Sequence, residues 1–237
     1  MTFTPYDVLA PHFAAYARSR ARYCDAVDRL ILSRLAGRGG DLLDVGSGDG
    51  GRAVRLAQAA LMTQVVLSDP SEPMVALCRQ HQASQVWHTA AEDLPDGPPR
   101  FDVVTCLWNV LGSVDGTERR VAALERMRAL LTPAGRLFLD VHNRYNARTA
   151  GPVRVLARMV RDGVSASEAN GSVAFTWTVE GARIPSRGYL FTAGEMRRLL
   201  TRAGLRVISR CFVDYDTGVA RGRWGGQMLF ELERSRR

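Results

Sequence analysis

Apolar residues recur at three- and four-residue spacing across positions 6–35 (Tyr16, Tyr23, Val27, Leu30, Ile31, Leu35), the period of helices that bury one side. Gly37-Arg38-Gly39-Gly40 then breaks the pattern. Beyond that break the period changes. Positions 42–45, 63–67, 85–88, 101–106 and 135–141 are short apolar runs, whereas 52–60, 73–82 and 116–131 return to helical spacing. Strand alternating with helix predicts an α/β fold, a doubly wound parallel sheet with helices on both faces. After Val141 the alternation stops: 143–162 is arginine-rich and partly helical, 172–180 alternates like an exposed strand, and 188–191 reads as its partner. Thr192-x-x-Glu195 has the form of a capping box, opening a helix to Arg202 that Gly204 ends, and 205–213 and 227–233 follow as two closing strands. The 237 residues, 46% hydrophobic, suffice for one full core. The expected organisation is a single domain over 1–237: a helical cap (1–40), a ligand-binding half (41–142), a lid insertion (143–191) and a closing helix with two strands (192–237).

Charge changes this picture little. The net charge of +8 invites a nucleic-acid or phosphate partner, but all 32 basic residues are arginine, a pattern that genome-wide base composition explains as readily. Cys24, Cys78, Cys106 and Cys211 are far apart, without the spacing of a zinc site or a disulfide framework. No start resembles a secretion signal and no apolar run reaches bilayer length, so a cytoplasmic protein without membrane contact is expected.

The chemistry concentrates at Leu42-Leu43-Asp44-Val45-Gly46-Ser47-Gly48-Asp49-Gly50, a glycine-rich turn between strand and helix. Gly46, Gly48 and Gly50 let the backbone approach a ligand closely, and the helix start offers free N–H groups. Gly46-x-Gly48-x-x-Gly51 also satisfies the dinucleotide fingerprint. Asp44 separates the two ligands: a buried acid repels a pyrophosphate and attracts the ammonium and sulfonium of S-adenosylmethionine. Asp69, just past the second strand and about 20 residues beyond the glycines, is placed to accept from two ribose hydroxyls of either adenosine cofactor.

Five segments, LLDVGSGDG, VVLSDPSEPM, AAEDLP, FDVVTCLWN and LTPAGRLFLDV, together resemble class I S-adenosylmethionine-dependent methyltransferases over roughly residues 42–233. The resemblance implies a mostly parallel, seven-stranded Rossmann-like sheet with an antiparallel last strand, and S-adenosyl-L-methionine as cofactor. It implies that the loop with Asp44, Gly46, Ser47, Gly48 and Gly50 holds the methionine part, that Asp69, with Pro70 and Met74 beside it, holds the ribose, and that Ala91 and Glu92 flank the adenine. Leu107 belongs to the same lining. One departure stands out: where the family often has an acid for the adenine amine this chain has Ala90, with Glu92 or Asp93 as substitutes.

A sulfonium methyl is already activated, so proximity suffices unless the nucleophile must lose a proton. Catalytic groups belong at the carboxyl ends of the strands. There, His142 is the candidate base and Asn109 and Tyr145 further catalytic candidates, the alternative being that His142 only shapes the pocket. Trp108, Tyr23, Tyr189 and Asn143 are candidate acceptor contacts, as is Asp214-Tyr215-Asp216. Tyr16, Arg20 and Tyr23, four and seven apart, share one helical face, from which Tyr16 and Arg20 reach the cofactor or solvent. Arg154, Arg158 and Arg161 form a basic stripe that either faces solvent or grips an anion. A magnesium site is not expected, because the adjacent Asp-Asn pair of catechol-type relatives is absent. The Asp/Asn-Pro-Pro-aromatic motif of amino-methylating nucleic-acid enzymes is absent too. The expectation is a methyltransferase acting on an O, N or C nucleophile of a small molecule in secondary metabolism. An RNA or protein methyltransferase, a nicotinamide-dependent oxidoreductase and a non-catalytic cofactor-binding protein are the alternatives, and no feature of the sequence sets an oligomeric state.

Overall fold

The structure, a computed structural model, describes residues 4–35, 37, 39–98 and 100–235. Three helices come first: α1 (Pro5–Leu9), α2 (Phe13–Ser19) and α3 (Ala21–Leu35). Tyr23, Val27, Ile31 and Leu35 recur every fourth residue on the buried side of α3. The backbone leaves helical geometry at Arg20 (φ −116°, ψ 12°), so Tyr16 and Tyr23 lie on different helices and not on one face.

The alternation then runs β1 (Asp41–Val45), α4 (Gly51–Ala59), β2 (Gln64–Asp69), α5 (Glu72–Cys78), β3 (Gln85–His88), β4 (Phe101–Cys106), α6 (Val110–Ser113), α7 (Thr117–Leu130) and β5 (Leu131–Val141). The lid contributes α8 (Ala147–Ala150), α9 (Pro152–Val164), β6 (Ser172–Val179) and β7 (Ala182–Tyr189). The chain closes with α10 (Ala193–Arg202), β8 (Leu205–Val213), β9 (Ala220–Arg221) and β10 (Gln227–Arg234). At the start of α10 the Thr192 hydroxyl accepts from the Glu195 N–H at 3.1 Å and the Glu195 carboxylate accepts from the Thr192 N–H at 2.7 Å, the reciprocal capping box its sequence predicts.

The sheet order is β3-β2-β1-β4-β5-β10-β8-β9, with β10 antiparallel to both β5 and β8. It therefore has eight strands, not seven, because the turn after Val213 doubles back to pair Ala220 and Arg221 with Val213 and Phe212. Successive residues face opposite sides: Leu42, Val103 and Phe138 pack towards α3 and α4, and Leu43, Val104 and Leu137 towards α7 and α10.

The lid hairpin corrects the sequence expectation. The partner of β6 is 182–189, not 188–191, since Glu180 (φ 49°) and Gly181 (φ 83°) make a tight turn. Pro185 concealed that strand, yet it sits in a two-stranded ribbon, where a missing N–H is tolerated. Trp177, Val179 and Ile184 of this hairpin pack with Leu9, Phe13 and Met74, so cap and lid meet over the end of β2.

Candidate active site

The glycine turn is built for close approach. Gly46, Gly48 and Gly50 have φ of 72°, 57° and 79°, the region that side chains disfavour. A β-carbon on Gly46 would strike Val110, and one on Gly48 the ring of Phe13. Ser47 fastens the turn to β2: its hydroxyl donates to the Asp44 carbonyl (3.0 Å) and accepts from the Ser68 N–H (3.1 Å). Asp69, buried at the end of β2, accepts from the N–H groups of Gly48 and Ser71, each at 2.9 Å. Burial pushes its carboxyl up to about 6, against the pull of those two donors.

Asp44 pairs in register with Thr105 of β4, whose hydroxyl donates to it at 2.5 Å. Burial raises its pKa as well. It lines a cavity of about 310 Å³ on the α4 side, where Arg52 and Asp28 form an ion pair at 2.7 Å. Asp44 thus faces this cavity, Gly48 faces a space on the other side of the turn, and Gly46 lines both.

That space is a cleft of about 450 Å³. Gly46, Gly48, Asp69, Pro70 and Leu107 form one end of it. Aromatic side chains form its walls: Tyr6, Phe13 and Tyr16 from the cap, Trp108 after β4, Phe175 and Trp177 from the lid, and Tyr215 after β8. Tyr16 and Trp108 stack with centroids 4.9 Å apart and planes 8° apart, and the Trp108 indole N–H donates to the Tyr215 hydroxyl at 2.9 Å. Arg20 lines the same cleft, bonded to Asp216 at 2.7 Å and lying 4.6 Å from the Tyr215 ring centroid.

Strain marks the floor. Trp108 (φ 63°) and Asn109 (φ 61°) are consecutive left-handed residues, tolerable for asparagine but costly, at about 1–3 kcal/mol, for tryptophan. Three bonds hold Asn109, and a fourth braces the acid that makes one of them. Asp140 accepts the Asn109 N–H (2.9 Å) and the Tyr23 hydroxyl (3.1 Å), while the Asn109 amide accepts the His142 N–H (2.9 Å) and donates to the Tyr189 carbonyl (3.3 Å). Asn109 therefore ties the ends of β4, β5 and β7 together, with its side-chain oxygen and nitrogen both engaged. Tyr23 lies beneath the floor, fully buried, and does not line the cleft.

His142 lines the cleft with Nε2 buried and without a hydrogen-bond partner. Burial, helped by the Arg20 charge, lowers its pKa to about 4, so the ring is neutral and not poised near 6.5 as its unperturbed value suggested. Tyr145 and Asn143 go elsewhere. The Tyr145 hydroxyl donates to Asp162 at 2.7 Å inside a second cavity of about 440 Å³. Asn143 holds the approach to β10, donating to the carbonyls of Arg223 and Gly226 at 2.8 and 3.0 Å. Their sequence position put both at a strand end, but the chain rises away from the cleft after His142. Tyr189 lines both cavities, its hydroxyl donating to Glu195 at 2.9 Å.

Ala91 and Met74 are buried and Glu92 is paired with Arg119 at 2.5 Å; none of the three lines the cleft. Sequence reasoning missed Tyr6, Phe13, Phe175 and Trp177. For the last two a signal existed, since aromatics two apart on a strand share a face.

A glycine turn with an acid at the next strand end, under aromatic walls, is the arrangement of an α/β nucleotide-cofactor fold. Comparison with known proteins sharpens this. A profile of the methyltransferase domain family matches residues 13–210. Demethylmenaquinone methyltransferase of Deinococcus radiodurans is 33% identical over 103 residues, and the chain spans about two fifths of that protein's length (41% of each chain aligned). Among solved structures, the CcbJ methyltransferase from Streptomyces caelestis superposes with a TM-score of 0.68 at 17% identity, covering 90% of each chain. S-adenosylmethionine-bound CalS10, an amino pentose methyltransferase from Micromonospora echinaspora, gives 0.61 at 18% identity, over 99% of this chain and 98% of that one. The chain belongs to the class I S-adenosylmethionine-dependent methyltransferase family.

Proposed function

We propose that this protein methylates a small, flat, ring-bearing acceptor as a tailoring step of secondary metabolism. One observation carries the reading: the glycine turn and Asp69 open into the same cleft as a wall of aromatic side chains from cap and lid. The names of similar proteins support a small acceptor, since they include a demethylmenaquinone enzyme and an amino pentose enzyme involved in calicheamicin biosynthesis.

The residues present fit the cofactor, because side chains are missing where the backbone must be approached (Gly46, Gly48) and a carboxylate stands where ribose hydroxyls donate (Asp69). When bound, the cofactor supplies a methyl group already activated on sulfonium. Leu107 and Trp108 shield that end of the cleft from water, and Arg20 offers a cation to a carboxylate. Phe175 and Tyr215 stack on the acceptor ring. His142 Nε2, neutral and unpartnered, accepts a hydrogen bond from the acceptor's O–H or N–H and so orients its lone pair.

The test is release of the demethylated cofactor across a panel of phenols, amino sugars and heteroaromatic amines. Turnover on a small ring, with Phe175→Ala raising KM for it and leaving cofactor affinity unchanged, is the expected result. Turnover only on RNA or a protein would refute the proposal.

A further inference from the structure

We propose that α9 is a membrane-interface element that lays its outer face on an anionic lipid surface. Val155 is its buried residue, and Asp162, on the same side, bonds inward to Arg144 at 2.9 Å. At 3.6 residues per turn, Val153, Leu156, Val160 and Val164 fall within about a quarter of a turn on the opposite side. They are 79%, 62%, 59% and 84% exposed, an apolar ridge turned outward. Arg154, Arg158 and Arg161 run along its edge, and among the described residues Arg154 makes no ion pair or side-chain hydrogen bond.

Nearby acids reach only one of these three arginines among the described residues: Asp162 pairs with Arg144 and, at 4.0 Å, with Arg161, whereas Glu168 pairs with Arg120 and Asp214 with Arg148. Beside α8, the Trp224 carbonyl accepts the Ala147 N–H at 2.8 Å, and its ring is 40% exposed with the Arg223 guanidinium 4.7 Å from its centroid. Apolar ridge, basic edge and an exposed tryptophan are what an anionic interface selects.

A second copy is a poor occupant, because a two-fold contact sets one arginine stripe against the other in a chain of net charge +8. An acidic protein would supply charge, but a ridge offers no groove for its side chains, whereas acyl chains conform to it. The expectation of no membrane contact rested on the lack of a spanning segment, and no helix among the described residues can cross a bilayer. Lying on a surface requires no spanning helix, and the proposal does not depend on which acceptor is methylated.

The test is flotation of the full chain with vesicles of phosphatidylcholine alone or mixed with phosphatidylglycerol. Binding is expected to the mixed vesicles at low salt, with at least about tenfold less to phosphatidylcholine alone and in high salt. Arg154→Gln should weaken it about fivefold, and Leu156→Gln with Val160→Gln should abolish it, while affinity for S-adenosylhomocysteine stays unchanged and reports an intact fold. Three results would overturn the proposal: no flotation of wild type, equal flotation of the apolar double variant, or a dimer in gel filtration that this variant dissociates.

Discussion

If Asp69 holds the ribose as proposed, it should couple cofactor affinity to pH. Its carboxyl is pushed up to about 6 by burial, against an ordinary 3.8. The ligand-free protein near pH 5 therefore holds Asp69 protonated in roughly nine molecules of ten. Two donating ribose hydroxyls require the ionised form. Affinity for S-adenosylhomocysteine should be level above about pH 7 and fall roughly tenfold, ~1.4 kcal/mol, for each pH unit below about 6. Calorimetry across that range reads it directly, and two buffers of different ionisation enthalpy near pH 5.5 should reveal about one proton released on binding. Asp69→Asn should bind more weakly and lose the slope. Stability moves the other way: the folded pKa lies above the unfolded one, so Asp69 costs about 3 kcal/mol above pH 6, a penalty that disappears as pH falls to about 4. A wild-type affinity unchanged between pH 7 and pH 5 would refute this placement of the ribose.

Gly48→Val should remove measurable cofactor binding by calorimetry while circular dichroism stays near wild type, because its β-carbon meets the Phe13 ring at φ 57°. His142→Ala removes one orienting hydrogen bond, worth about 1 kcal/mol, and should lower the chemical step in single-turnover kinetics by roughly five- to tenfold for a hydroxyl acceptor. With a pKa of about 4 it should leave the pH profile between about 6 and 8 unaltered. Arg144→Met strands Glu195 and Asp162, bonded to it at 2.6 and 2.9 Å, and should cost about 3–5 kcal/mol in denaturant unfolding. Tyr145→Phe removes one hydrogen bond in the second cavity, costing about 1 kcal/mol and leaving kcat within twofold or so.

The parallel half of the fold was legible because its residues carry local signals. Leu42 to Val45 are apolar on both faces, and the glycines that follow admit few geometries. Asp69 was picked out the same way, from its distance along the chain, and it lies at the end of β2 lining the cleft. What escaped depends on contacts between distant segments: Phe13 reaches Gly48, and Phe175 and Trp177 reach the cleft only because the lid folds back over the cap. His142 lines the cleft, but its lowered pKa was not legible in the sequence, since burial is a property of the surroundings and not of the residue. Tyr145, three residues further, illustrates the limit, because strand-end position does not say which way the chain leaves.

The cleft also joins the two ends of the chain. Arg20 bonds to Asp216 across 196 positions, and Trp108 to Tyr215 across 107. Contacts so remote in sequence close late in folding, after the loop entropy between them has been lost. Half-folded chains consequently lack this wall of the cleft, and a ligand that fills the cleft selects molecules whose last docking step is complete. Saturating ligand should then slow unfolding far more than it speeds refolding.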